Sequence, residues 1–115
     1  MAVELFGICP YATAQKVLQG KWSILIMHHL SFGSIRFNEL RRRLPDMTHA
    51  TLAKQLKQLE SDGLIIRTEF PQVPPKVEYA LSEIGLKFNH VLDSLQVWGQ
   101  QYIDYMHKKQ DINSL

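Results

Sequence analysis

From Met47 to Gly63 the chain reads MTHATLAKQLKQLESDG, and the fold turns on how this stretch is read. Thr48 has the short hydroxyl side chain of a helix N-cap, and Met47 and Leu52 occupy the two positions of a hydrophobic staple around it. Leu52, Leu56 and Leu59 recur at helical spacing and make one apolar stripe, while Ala50, Thr51, Lys54, Lys57 and Gln58 fall on the opposite side. Gly63 supplies the stop. The charge order is unusual: the lysines sit in the middle, and Glu60 and Asp62 crowd the C-terminal end, where the helix dipole disfavours acids. A front half with hydroxyls, His49, lysines and amides but no acid suits a helix that faces a polyanion. Taken alone, the stretch equally describes an amphipathic surface helix, so its neighbours must decide.

Upstream, FNELRRRLP places Phe37, Leu40 and Leu44 at i, i+3 and i+7, with the arginine run 41–43 pointing elsewhere and Pro45 ending the helix. Two helices joined by the short turn Pro45–Met47 form a helix-turn-helix pattern, one that also occurs in proteins that never touch DNA. A short extended segment is expected around Ile35. Before it, KWSILIMHHL (21–30) carries Trp22, Ile24, Leu25, Ile26, Met27 and Leu30, which predicts a helix buried on most sides. Further back, Cys9-Pro10 opens a segment that runs to Gly20; proline favours the first helical position, which puts Cys9 at the N-cap.

Downstream, LIIRTEF and KVEYALS are β-rich and flank the proline turn PQVPP, so a β-hairpin is predicted over about 64–81. Val77, Tyr79 and Leu81 share one of its faces; Lys76, Glu78 and Ala80 share the other. Ser82 then caps a predicted long helix from about Glu83 to Lys108. Its apolar residues Ile84, Phe88, Val91, Leu95, Trp98, Tyr102 and Tyr105 alternate by four and three, and Leu92, Ile103 and Met106 widen the seam. Such a helix extends more than about 30 Å at about 1.5 Å per residue. That exceeds what a small domain covers with its own core, so a second subunit is expected on it. Gly85 and Gly99 weaken the helix locally, and Gly99 permits close approach. The tail DINSL reads as frayed.

The order helix, short strand, helix, helix, hairpin is that of a winged helix-turn-helix. The expected fold class is therefore mainly α with a small β-hairpin (α+β), with flanking N- and C-terminal dimerisation helices, in a single domain over residues 1–115. Hydrophobic residues make up 45% and charged residues 21%, values that argue against disorder. The net charge is only +2, but between Arg36 and Lys76 there are eight bases against five acids, and the positive excess lies there. No apolar run reaches transmembrane length and no signal-peptide pattern opens the chain; with one cysteine and no internal disulfide, a cytoplasmic setting and no membrane partner are expected.

GKW at 20–22, RFNELRRRLP at 36–45, LAKQLKQLESDGLI at 52–65 and PQVPPKVEYALSEIG at 71–85 closely resemble the HxlR-type branch of the MarR-like bacterial transcription regulators. Cys9-Pro10 and Trp98-Gly99 fit the same pattern, whereas CPYATAQKVLQ is less acidic than its family counterpart. The resemblance spans about Cys9 to Tyr105. It implies a homodimer on palindromic operator DNA, with the helix at 48–62 in the major groove and the wing near the flanking backbone or minor groove.

In a helix-turn-helix the front of the second helix meets base edges, which nominates Thr48, His49, Thr51, Lys54, Gln55 and Gln58 as base readers. Arg36, Arg41, Arg42, Lys57, Arg67 and Lys76 are nominated as phosphate or wing contacts. For any one arginine of the run 41–43, a solvated ion pair is as open as a DNA contact. Val91, Leu95, Trp98 and Tyr102 are expected in the dimer interface. Cys9 is a candidate redox or electrophile sensor: the dipole at an N-cap favours thiolate, and the resemblance includes regulators that sense oxidants through a cysteine in a CP context. The alternative for a lone cysteine is an inert small hydrophobe. His28 and His29 are adjacent and point apart, and no Cys/His/Asp cluster has zinc spacing, so no metal and no cofactor are expected. With no phosphate loop, nucleophile elbow or carboxylate pair, an enzyme is not expected. The last helix's aromatics could line a pocket for a small-molecule effector, a reading second to interface core. The rival function is a winged-helix protein-interaction module without DNA binding, against which the acid-free helix front argues.

Overall fold

The computed structural model describes residues 4–114, with side chains through residue 111. Its elements in chain order are α1 (Pro10–Val17), α2 (Ser23–Leu30), β1 (Ile35–Arg36), α3 (Phe37–Arg43), α4 (His49–Ser61), β2 (Ile65–Phe70), β3 (Lys76–Leu81), α5 (Glu83–Leu86) and α6 (Asn89–Ser114). This is a winged helix with helices added at both ends. Among the described residues, no helix is long and apolar enough to cross a membrane.

α4 begins and ends where its sequence dictates. The Thr51 amide donates to Thr48 Oγ1 at 3.1 Å, which caps the first turn, and Met47 and Leu52 are both buried beneath it. At the far end Gly63 takes φ 80°, in the left-handed region. The Gly63 amide then reaches the Glu60 carbonyl at 2.9 Å and the Leu64 amide reaches the Leu59 carbonyl at 2.9 Å. Those two bonds are a Schellman stop, with Leu59 and Leu64 closing the apolar contact that accompanies it. Leu52, Leu56 and Leu59 plug into the core beside Ile26, Met27 and Leu30 of α2, Leu40 of α3, and Ile65, Tyr79 and Leu81 of the sheet.

The short strand expected around Ile35 joins the predicted hairpin in a three-stranded sheet. β1 pairs with the outer edge of β3, Ile35 opposite Tyr79 and Arg36 opposite Glu78, giving the order β1-β3-β2. Burying Ile35 in the core brings the two-residue segment alongside β3, whose edge would otherwise carry open amides and carbonyls. β2 and β3 pair from Ile65 opposite Leu81 to Phe70 opposite Lys76.

Three expectations require correction. The helix at 21–30 is not buried on most sides: Ile26, Met27 and Leu30 are, but Ile24 and Leu25 remain 40% and 44% exposed within the protomer. The single helix over 83–108 is two helices, parted at Lys87 and Phe88. Gly85 lies so close under the Leu64 carbonyl that a Cβ there would collide with it. Ser82 also pins the start of α5, its amide donating to the Leu64 carbonyl at 3.0 Å and its hydroxyl accepting from the Gly85 amide at 3.1 Å. The chain is thus held against the core for one turn and must redirect before α6 can leave it. Finally, the tail is not frayed through its length: α6 continues to Ser114, since no glycine or proline interrupts 109–114.

Candidate nucleic-acid interface

The turn between α3 and α4 is rigid on both sides. Leu44 and Met47 are buried under it, and the His49 ring packs 4.6 Å, centroid to centroid, from the Phe37 ring at the start of α3. Thr48 Oγ1 donates to Thr51 Oγ1 at 2.8 Å, so these two hydroxyls form one exposed polar unit at the front of α4. Behind it Lys54 and Lys57 are exposed on the side opposite the leucine stripe, with no acid in the first turn.

The nominated base readers do not share one disposition. Thr48, His49, Thr51 and Lys54 lie together on the exposed front. Gln58 is also exposed, but its amide donates to both carboxylate oxygens of Asp62 at 3.2 Å, one turn further on. Gln55 stands apart: it is half-buried, and its carboxamide lies over Gly20, where any Cβ would meet Gln55 Oε1 and Ser23 Oγ. The glycine of GKW is therefore a seat for Gln55.

All the nominated phosphate contacts but Lys57 fall in two groups, with Lys76 common to both. Arg36, Arg41 and Arg42 line a shallow cleft of about 1180 Å³ with Lys76, between the start of α3 and the proline end of the hairpin. Asn38 lines it too and was not nominated, as does Arg43, for which the sequence left an ion pair and a DNA contact equally open. Within this cleft Glu39 accepts from Arg42 and, at 3.3 Å, from Arg43 Nε. Those guanidiniums, Arg43 first, hold the Glu39 carboxyl below the usual carboxylate range. Arg41 takes no part in these ion pairs. The second group lies on the hairpin. Lys76 Nζ is 3.1 Å from Glu78 and 4.5 Å above the Phe70 ring. Arg67 is 2.7 Å from Glu69 and lies opposite Tyr79 in the strand register. Lys57 belongs to neither group.

On the other side of the molecule, α6 carries Val91 and Leu95 half-buried against the body, then Trp98, 62% exposed, and Tyr102. The rings of Trp98, Tyr102 and Tyr105 follow one another at 5.5 and 5.7 Å. From Gln101 to Asp111 every residue is exposed in the protomer. Cys9 is the N-cap residue of α1 with Pro10 at the first helical position, as expected, and it is half-buried. Its neighbours Ile8 and Pro10 line an apolar groove of about 570 Å³ between α1 and the start of α6. Among the described residues, no group of three His, Cys, Asp or Glu is placed to hold a metal.

A tight two-helix turn packed on a three-stranded sheet, with α4 presenting hydroxyls and lysines beside an arginine-lined cleft, defines a winged helix-turn-helix protein. The chain belongs to the HxlR-like helix-turn-helix family, which matches it over residues 17–107. It is 42% identical to the HTH-type transcriptional regulator YdeP of Bacillus subtilis over 103 residues, 90% of this chain and 80% of that relative. Among solved structures it resembles the HTH-type regulator YtcD, which has a relative of that name in Bacillus subtilis, with TM-score 0.79 and 42% identity over 84% of this chain and 99% of the other. It also resembles the redox regulator HypR in its reduced form, with TM-score 0.81 and 37% identity over 87% of this chain and 99% of that one.

Proposed function

We propose that this regulator binds double-stranded DNA as a homodimer, each protomer placing the front of α4 in the major groove of one half of a palindromic operator. The observation that carries the reading is the acid-free front of α4, capped by Thr48 and set beside the cleft of Arg36, Arg41, Arg42 and Lys76. Hydroxyls and lysines there meet base edges, and the cleft meets phosphates. Trp98, Tyr102 and Tyr105 give a second copy an apolar face to cover, since every residue of α6 from Gln100 to Asp111 is exposed in the protomer. Half-sites would lie about 10 base pairs apart, centre to centre, or a multiple of that.

The experiment is duplex selection from a random library at low salt, paired with sedimentation of the free protein. Enrichment of a two-fold sequence bound by a dimer is the expected result. A monomer at micromolar concentration would remove the dimer, and failure to enrich any sequence would turn the reading toward a protein-interaction module.

A second reading concerns the signal. Cys9 sits at a helix N-terminus beside an apolar groove, and HypR is a redox regulator by name, which supports a response to electrophiles or oxidants through this thiol. A Michael acceptor with an apolar body would occupy the groove while Cys9 Sγ adds to its β-carbon: the thiol proton passes to solvent, the C=C π pair shifts to the α-carbon, and that carbon takes a proton from solvent. Operator binding compared before and after alkylation, with Cys9→Ser as control, tests this; equal affinity in all states would leave Cys9 a structural residue.

A further inference from the structure

The hairpin ends in an uncharged cap. Residues 71–75, PQVPP, are all exposed, and at the apex Val73 is 99% exposed, an isopropyl group held out to solvent. The three prolines restrict φ, and the Gln72 amide donates to the Phe70 carbonyl at 2.9 Å, so the apex is held in shape. The nearest hairpin cations are drawn back onto the strands: Lys76 lies over Phe70 and against Glu78, and Arg67 pairs with Glu69. A hairpin that touched DNA only through charge would present those cations at its apex. This one presents a valine.

We propose that Val73 is an apolar wedge that enters the minor groove beside each half-site and selects A·T over G·C pairs there, an inference that rests on the DNA-binding reading above. The minor groove is about 6 Å wide. Two paired strands about 4.8 Å apart, with side chains projecting from both faces, enter it only where the groove is widened. A single apex side chain fits. On the groove floor A·T pairs offer only acceptors, whereas G·C pairs add the guanine 2-amino group. That group projects toward the wedge, and an isopropyl placed over it strips water from a donor without replacing its hydrogen bond. Over A·T the same side chain meets no such group. Apolar residues of this kind are used by other minor-groove proteins to press against base steps. Because the contact has no charge, it displaces no counterion, and the selection it makes is independent of salt.

The test uses the full chain and the duplex most enriched by selection, with the base pairs under the hairpin made A·T, G·C or inosine·cytosine. Inosine keeps the major-groove pattern of guanine but lacks the 2-amino group. The wild type is expected to bind the A·T duplex about tenfold more tightly than the G·C duplex, or about 1.4 kcal/mol, with inosine·cytosine close to A·T. Val73→Ala should remove most of this difference and leave the salt dependence unchanged; since Val73 touches nothing in the fold, the variant stays folded. Inosine·cytosine behaving like G·C, or Val73→Ala keeping the A·T preference, would overturn the wedge while half-site binding stands. Failure of every duplex to bind would overturn both.

Discussion

The ring of His49 rests on the ring of Phe37 at 4.6 Å between centroids, tilted by 53°, so the first residue of α4 is braced on the first residue of α3. An aromatic contact of this kind contributes about 0.5–1.5 kcal/mol beyond buried area. His49→Phe should therefore keep the thermal midpoint and shift the selected DNA sequence. His49→Ala should lower the midpoint as well. Thermal melts beside duplex selection separate the two effects, and a destabilised His49→Phe would contradict the bracing role.

Gly85 is the residue on which the redirection of the chain between α5 and α6 depends. A Cβ there would strike the Leu64 carbonyl, a backbone atom fixed by its bond to the Ser82 amide. Gly85→Ala should cost about 1–3 kcal/mol by overpacking, against the gain of about 1 kcal/mol that alanine brings to an unconstrained helix. Gly99→Ala has open space around it in the protomer, so the gain is expected if Gly99 faces solvent, and a loss in its place would report the close approach of a second copy there. Urea denaturation of the two variants compares them directly.

Glu39 holds Arg42 and Arg43 in ion pairs inside the cleft. Glu39→Gln removes a negative charge from the proposed phosphate surface and releases two guanidiniums. Operator affinity should rise, and the slope of log K against log salt should steepen by up to about one unit per newly made phosphate contact. An unchanged slope would set α3 apart from the DNA.

His29 is held below the ordinary histidine pKa by burial first, then by its neighbour His28 and by Arg43. The unfolded chain, with histidine near about 6.5, then binds more protons than the folded one at mildly acid pH. Stability should accordingly be complete above the unfolded value and fall as the pH drops below about 6.5 toward the lower folded value. His29→Gln should flatten this part of the profile, read from denaturation midpoints between neutral and mildly acid pH.

Much of the fold was legible because its strongest local signals agree with its packing. The Thr48 cap, the leucine stripe and the Gly63 stop lie within one stretch of 17 residues, and each is a short-range effect. The parting of α5 from α6 was not legible. Ile84, Phe88, Val91 and Leu95 keep helical spacing across the break, and what enforces it is the approach of Gly85 to Leu64, a contact between distant segments. The short strand expected around Ile35 is present, but its place in the sheet was not legible for a related reason: two residues carry no strand periodicity, and the pairing rests on Tyr79 lying opposite Ile35. In the candidate site, helical position placed Thr51 and Lys54 outward, but it could not reveal that Gly20 leaves room for Gln55 to fold back, or that Asp62 engages Gln58.

Ser82 donates from its hydroxyl to the Gly63 carbonyl at the end of α4 and accepts the Gly85 amide at the start of α5, while its own amide holds Leu64. One residue, through its hydroxyl and its amide, thus splices three junctions: the exit of α4, the base of the hairpin and the entry to α5. Mechanically, α4 and its hairpin are spliced into one part, and the chain turns away from that part at Lys87 and Phe88 to enter α6. In the proposed dimer, a stimulus acting between α5 and α6 would therefore have little purchase on the shape of either α4 surface. Its leverage would be on the distance and angle between the two copies, so that the proposed control would act through span, with the letters each copy recognises left unchanged.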